Sequence, residues 1–325
     1  MREQGTVVVR AAGGSVSGWV EAGLYVLCIG VLSLAYAYGA ARGSNAIVFV
    51  LYSLLISAAA LLCLTGFGPN TWAIMRAPAS WMVGLANIVV EAGYALLLTY
   101  VPPADGSLMI RFSIPVTLLI GVLVFGRRPG VAVWLGAGLV GLVVGTLLSG
   151  VAPADQPTVF ACAATCAIAV GIRAFSSEFH KWNRAAKTVV EKVQVTGVVT
   201  LVTALAALVT VTLLMAAVEA GHLPATPLLP TRADLLHGPT LLLSLLVGGA
   251  LFTAMTYLSF SCVLKIRSEN FIATSAFMPL SALGVQMLAA EAGLIALPPF
   301  NPALLPAMLG AIVGVALMIW GGRGG

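Results

Sequence analysis

Ser113-Ile114-Pro115-Val116-Thr117 and Phe277-Met278-Pro279-Leu280-Ser281 read as one pattern written twice: a proline inside an apolar run, with a hydroxyl two residues later. The same offset lays Asp105 on Glu269, an acid at the start of each apolar segment, where it suits the positive end of a helix dipole. Further on, Leu135-Gly136-Ala137 matches Leu309-Gly310-Ala311 once ten extra residues around 297–302 are allowed in the second copy. A chain that repeats itself at this distance consists of two similar halves. Pro115 and Pro279 each free a backbone carbonyl one turn earlier and permit a kink, so they are read as a shared hinge.

The composition around this repeat places the halves in a membrane. Of 325 residues, 60% are hydrophobic and only 8% are charged, with a mean hydropathy of +1.05. Soluble domains carry about a quarter charged residues, because even a folded chain must cover much of its surface with polar groups. Stretches long enough to span a bilayer, about 20 apolar residues each, number ten: 19–40, 46–67, 80–101, 106–125, 131–150, 157–177, 188–218, 239–264, 270–290 and 303–320. Five fall in each half. Because five is odd, the second half enters from the opposite side, which makes the fold an all-α integral membrane protein of two inverted five-helix repeats. Residues 1–18 form a polar tail, 19–150 the first repeat, and 151–325 the second, with a basic loop at 178–188. The first segment is too long for the apolar core of a signal peptide and is read as retained.

Thirteen of the 16 Lys and Arg residues lie on the side of the termini, Arg42 and Arg232 lie opposite, and Arg111 falls within the membrane. The excess of cations marks the cytoplasmic side, so both termini are expected inside a plasma (inner) membrane crossed many times. The net charge of +5 sits in short loops and forms no continuous basic stripe, so no nucleic-acid partner is expected. Cys28, Cys63, Cys162, Cys166 and Cys262 all fall in apolar segments and read as buried thiols. Cys162 and Cys166 are one turn apart, but no His or carboxylate joins them in that segment, so no metal or other cofactor is expected.

The run Met109-Ile110-Arg111-Phe112-Ser113-Ile114-Pro115 through Val124-Phe125-Gly126-Arg127-Arg128, followed by Trp134-Leu135-Gly136-Ala137-Gly138, resembles the first EamA-type repeat of the drug/metabolite transporter superfamily. Ala276 to Ala290, Met308-Leu309-Gly310-Ala311 and the terminal Arg323 are similar to the second. The resemblance implies a central cavity lined by segments one to four and six to nine, with five and ten peripheral. It also implies transport of amino acids, sugars, nucleotides, amines or other metabolites, without choosing among them.

Ionisable groups inside a membrane are costly and commonly face a cavity or a partner. Glu91 lies mid-way along the third segment and Arg111 near the outer end of the fourth, an antiparallel neighbour, at depths an arginine side chain can bridge. Their repeat equivalents are Met255 and Ser275, so this pair is not needed to build a half. The competing reading is a structural ion pair pinning two helices. Asn87 and Tyr94, four before and three after Glu91, share its helical face and make a polar stripe. In the second half the polar face is milder: Thr253, Thr256, Tyr257 and Ser261, then Thr274, Ser275 and Gln286, with Tyr257 and Gln286 the candidates for contact with a ligand. Tyr25, Tyr36, Tyr38 and Trp81 read as packing or interfacial aromatics before they read as substrate walls. Arg173 and Glu178 read either as an inner gate or, more simply, as charges at a helix end. Gly141 with Gly145, and Gly310 with Gly314, allow close helix approach, within a monomer or between two copies of a homodimer.

An intramembrane enzyme is the least fitting class. Asp105, Asp155 and Asp234 fall at helix ends, His180, His222 and His237 fall in loops or at boundaries, and no HExxH occurs. A channel or a non-transporting receptor suits the composition but uses neither the repeat nor Glu91. The expectation is therefore a secondary carrier, not an enzyme, that moves a small polar metabolite by alternating access. Glu91 and Arg111 would meet the charges of a zwitterion such as an amino acid, or Glu91 would take up and release a proton in each cycle.

Overall fold

In this computed structural model residues 16–224, 229–296 and 302–322 are described, and helices account for 83% of the structure with no strand among them. The order is α1 (Val16–Ala41), α2 (Ala46–Thr65), a short α3 (Thr71–Arg76), α4 (Pro78–Leu97), and α5 (Pro103–Met109) joined to α6 (Ser113–Phe125) through a 3-10 turn at Ile110–Phe112. Next come α7 (Val131–Ser149), α8 (Gln156–Phe179), the short α9 (Lys181–Ala185) and α10 (Val189–Glu219). The short α11 (Arg232–Leu235) precedes α12 (Gly238–Leu246), which runs into α13 (Thr253–Ser275) through a π-helical turn at Val247–Phe252; α14 (Met278–Glu291) and α15 (Leu304–Gly322) follow. Among the described residues, nine helical segments are long and apolar enough to cross a membrane. The residues around 297–301, where the second half carries its insertion, lie outside the described ones.

One of the expected spans is interrupted, and two others are perturbed without a break. The 270–290 segment is not one helix: α13 continues to Ser275, the chain turns at 276–277, and α14 starts afresh with only 14 residues. Pro279 sits in the first turn of α14, the position where a missing N–H costs nothing. Pro115 lies instead inside a continuous rod. It offers no N–H to the carbonyl of Arg111, and the chain tightens into the 3-10 turn at that level. The two prolines thus occupy the same register but do different local work, one starting a helix and the other constricting one.

The α12–α13 junction widens rather than tightens. A Cβ on Gly248 would lie 2.2 Å from the carbonyl oxygen of Ser53, so only glycine lets α2 and this turn touch backbone to backbone. The extra residue of the π turn is absorbed by Thr253, whose hydroxyl donates to the Gly248 carbonyl at 3.0 Å. At the periphery α7 and α15 pack as a pair, where a Cβ on Gly136 would fall 2.3 Å from the Gly314 carbonyl oxygen. Gly310 and Gly314 are therefore used within the chain, whereas a Cβ on Gly141 or Gly145 would meet nothing within 4 Å.

The two ends of the bundle differ. Leu32 and Tyr36 from α1, Phe49 and Val50 from α2, and Leu97 and Leu98 at the end of α4 form one continuous core. Ala104 and Leu108 from α5, Leu147 from α7, Val159 from α8 and Met308 from α15 join the same core. At the other end only two small clusters are packed among the described residues, Leu62, Ile74, Val195, Val198 and Val199 in one and Ala22, Cys262 and Ile266 in the other. That looser end is where Arg76, Lys181, Arg184, Lys187, Lys192 and Lys265 sit.

Candidate functional site

Helix α4 carries Ser80, Gly84, Asn87, Glu91 and Tyr94 at spacings of four, three, four and three, which is one continuous stripe of a helix. Each member meets a different neighbour. The Ser80 hydroxyl is 2.8 Å from His180 Nε2, at the foot of α9. A Cβ on Gly84 would lie 2.3 Å from the Thr203 hydroxyl oxygen, so α10 is drawn against α4 there. Asn87 Oδ1 accepts from Arg173 Nη1 of α8 at 2.7 Å. Glu91 Oε2 accepts from the Tyr36 hydroxyl of α1 at 3.0 Å. The Tyr94 hydroxyl is 2.7 Å from the Ser33 hydroxyl, also of α1. Tyr36 in turn meets Phe49 and Tyr94 edge to face, with ring centroids 5.5 Å and 6.1 Å apart.

Beside this stripe lies a cavity of about 510 Å³, inside the roughly 300–1,000 Å³ range of small-molecule sites. Glu91 lies toward its deep end, next to the tyrosine cluster, and the lining runs past Asn87 and Arg173 to Ser177, His180 and Asn183 at the basic end. Helices α1, α2, α4, α8, α10 and α13 contribute side chains, as does Phe252 of the π turn. The opposite end is closed by the large core.

Of the residues expected at a site, Glu91 and Asn87 line this cavity, and Tyr94 buttresses it through Ser33 and Tyr36. Arg111 does not line it. Its Nη2 donates to the Met278 sulfur at 2.9 Å and its Nε to the Ser107 carbonyl at 3.4 Å, which directs the side chain toward α14. The cation that shares the cavity with Glu91 is Arg173, close enough for the two charges to act on each other. Among the described residues they make no direct salt bridge, since Arg173 is held by Asn87 and Glu91 by Tyr36. Gln286 is buried and accepts from the Ala104 N–H at 3.2 Å, tying α14 to the start of α5, and Tyr257 is 52% exposed on the outer face of the bundle. Among the described residues, none of the fourth or ninth segment, both expected to line the cavity, does so. The side chains of Glu178 and Ser275 lie outside the described residues.

Arg173 and His180 are the residues underrated by sequence. Arg173 falls inside the 157–177 span, four residues from its end, a position that signalled burial even though charges near helix ends commonly reach the headgroups. His180 follows α8 and is buried. Asn183 donates its backbone N–H to Nδ1 at 3.2 Å, so Nε2 carries the proton and donates to Ser80. Burial pushes this imidazole below its usual pKa.

A further acid and base form a separate lock. Glu21 of α1 accepts from the Ser261 hydroxyl at 2.7 Å and pairs with Lys265 of α13, fastening the start of α1 to the basic end of α13.

No family model and no curated protein matches the chain. Sixteen chains of solved structures do match it. One, described simply as the crystal structure of a protein, is 18% identical over 93% of this chain and 97% of that one, with a TM-score of 0.55. At that identity the likeness is one of fold alone, and it extends over nearly the whole length of both chains.

Proposed function

We propose that this protein is a ten-helix carrier of two inverted five-helix halves, similar to the EamA-type members of the drug/metabolite transporter superfamily. It would move a small polar metabolite across a plasma (inner) membrane by alternating access, with both termini cytoplasmic. The observation that carries the reading is the cavity: about 510 Å³, bordered by helices of both halves, with the Glu91 carboxylate toward its deep end and a packed core beyond it. The edge-to-face cluster of Tyr36, Phe49 and Tyr94 beside Glu91 supports a cavity closed on one side, as alternating access requires. In this reading the nine long apolar spans and α14 would make the ten crossings, and the excess of cations at the open end supports a cytoplasmic, inward-facing opening.

In this reading Glu91 is the group that meets the substrate or carries a coupled proton, while Arg111, Gln286 and Tyr94 position helices. The test is counterflow in proteoliposomes preloaded with amino acids, amines, nucleosides or sugars, comparing wild type with Glu91→Gln and Arg111→Gln. The expected result is saturable exchange of one class, reduced at least tenfold by Glu91→Gln and retained by Arg111→Gln. Glu91→Gln that exchanges normally but loses its pH dependence assigns the carboxylate to proton coupling. Flux that never saturates and shows no countertransport overturns the carrier.

A further inference from the structure

The charges in the cavity are arranged in an unusual way. Arg173 is bonded to a neutral amide one helical turn from Glu91, instead of to Glu91 itself. Asn87 and Glu91 are four residues apart on one face of α4, so their side chains start roughly 5–6 Å from each other. A guanidinium has five N–H donors in a planar fork suited to a carboxylate, and the bond to Asn87 uses one of them. The Tyr36 hydroxyl occupies one oxygen of Glu91, Oε2, and Oε1 remains as an acceptor. A positive and a negative group are thus held about one turn apart, both bordering the same empty space, by neutral partners that keep them from collapsing onto each other.

The repeat adds a second fact. Met255, the equivalent of Glu91 in the other half, lines the same cavity, as do Phe252, three residues before it, and Val199 of α10. At this position the first half carries an acid and the second an apolar side chain, while the cation, Arg173, comes from α8 of the second half. The lining thus offers two opposite charges for a charged head and an apolar patch for an uncharged tail.

From this arrangement we infer that the cavity binds a zwitterion whose ammonium and carboxylate hang from a single carbon, an α-amino acid with an uncharged apolar side chain. Arg173 receives the carboxylate, Glu91 the ammonium, and Met255, Phe252 and Val199 the side chain. Asn87 is a positioning residue that holds the guanidinium at this spacing. The inference rests on the proposed carrier for its biological use, but binding itself does not require transport.

The experiment is equilibrium binding to the full-length protein in detergent, with leucine as the zwitterion, leucinamide as its cation and N-acetylleucine as its anion. Leucine is expected to bind at least tenfold more tightly than either derivative. Arg173→Gln should lower leucine to the level of leucinamide and leave leucinamide unchanged, and Glu91→Gln should lower it to the level of N-acetylleucine. Met255→Gln, which changes neither charge, should weaken leucine about tenfold while leaving glycine unaffected, and serves if a charge variant fails to fold. Equal binding of all three probes, loss of all three together in Arg173→Gln, or no binding of any overturns the assignment. Leucine binding without counterflow would keep the zwitterion site and overturn the carrier. Saturable counterflow of a sugar or nucleoside with no leucine binding would keep the carrier and overturn the zwitterion site.

Discussion

At the scale of single residues, the His180 contact shows how a polar group survives burial here. The imidazole is neutral because one nitrogen accepts from Asn183 and the other donates to Ser80, and adding a proton to Nδ1 would set two N–H groups against each other. Its pKa lies below the unfolded value of about 6.5. The unfolded chain therefore binds the proton first, and the contact stabilises the protein fully above that value and fades as the pH falls toward the lower folded one. Thermal unfolding in detergent should show a melting temperature that falls between pH 7 and pH 5, with a flatter profile in His180→Gln. Glu91 was legible in the sequence because a lone acid in the middle of an apolar run is costly and must be met by something. What meets it was not legible: Tyr36 is one of several aromatics in its segment, and Arg173 resembles an ordinary charge near a helix end. Those partners are brought together by crossings between helices far apart in the chain, which no local pattern records.

At the scale of elements, hydropathy located most helices to within a few residues, and the capping box of Thr188 and Glu191 begins α10 where the 188–218 span was expected. It missed the three places where helices are perturbed: the 3-10 turn before Pro115, the π turn at Val247–Phe252 and the break at 276–277. Each depends on backbone geometry that composition does not carry, although Gly248-Gly249 was a visible cue for the second. Glycines of similar appearance consequently have unlike tolerances. Gly248→Ala would drive a Cβ into the Ser53 backbone, and Gly136→Ala would do the same at Gly314, so each should cost about 1–3 kcal/mol or more. Gly145→Ala meets open space and should be tolerated, with a melting temperature equal to or above that of wild type. Unfolding curves of the three variants decide this directly.

At the scale of the whole molecule, the asymmetry between a loose basic end and a packed opposite end gives a prediction about access. Single cysteines introduced at Ser177 and Thr196 into a background lacking the five native ones should react with a membrane-impermeant thiol reagent added on the basic side, and one at Leu97 should not. Equal labelling of all three would mean the packed end opens as readily as the other. The overall outline, long apolar helices in a multiply crossing bundle, was legible because burying so much apolar surface leaves few alternatives, whereas the direction in which the bundle gapes was not, since it follows from which side chains mesh. The same geometry makes Tyr36 a messenger. The carboxylate within reach of whatever enters from the basic side is also the one that latches α1 to α4 against the far side. In a carrier, an occupant that competes for that carboxylate loosens the latch merely by arriving, while an empty vestibule leaves it fastened: one hydroxyl would then ration passage according to cargo.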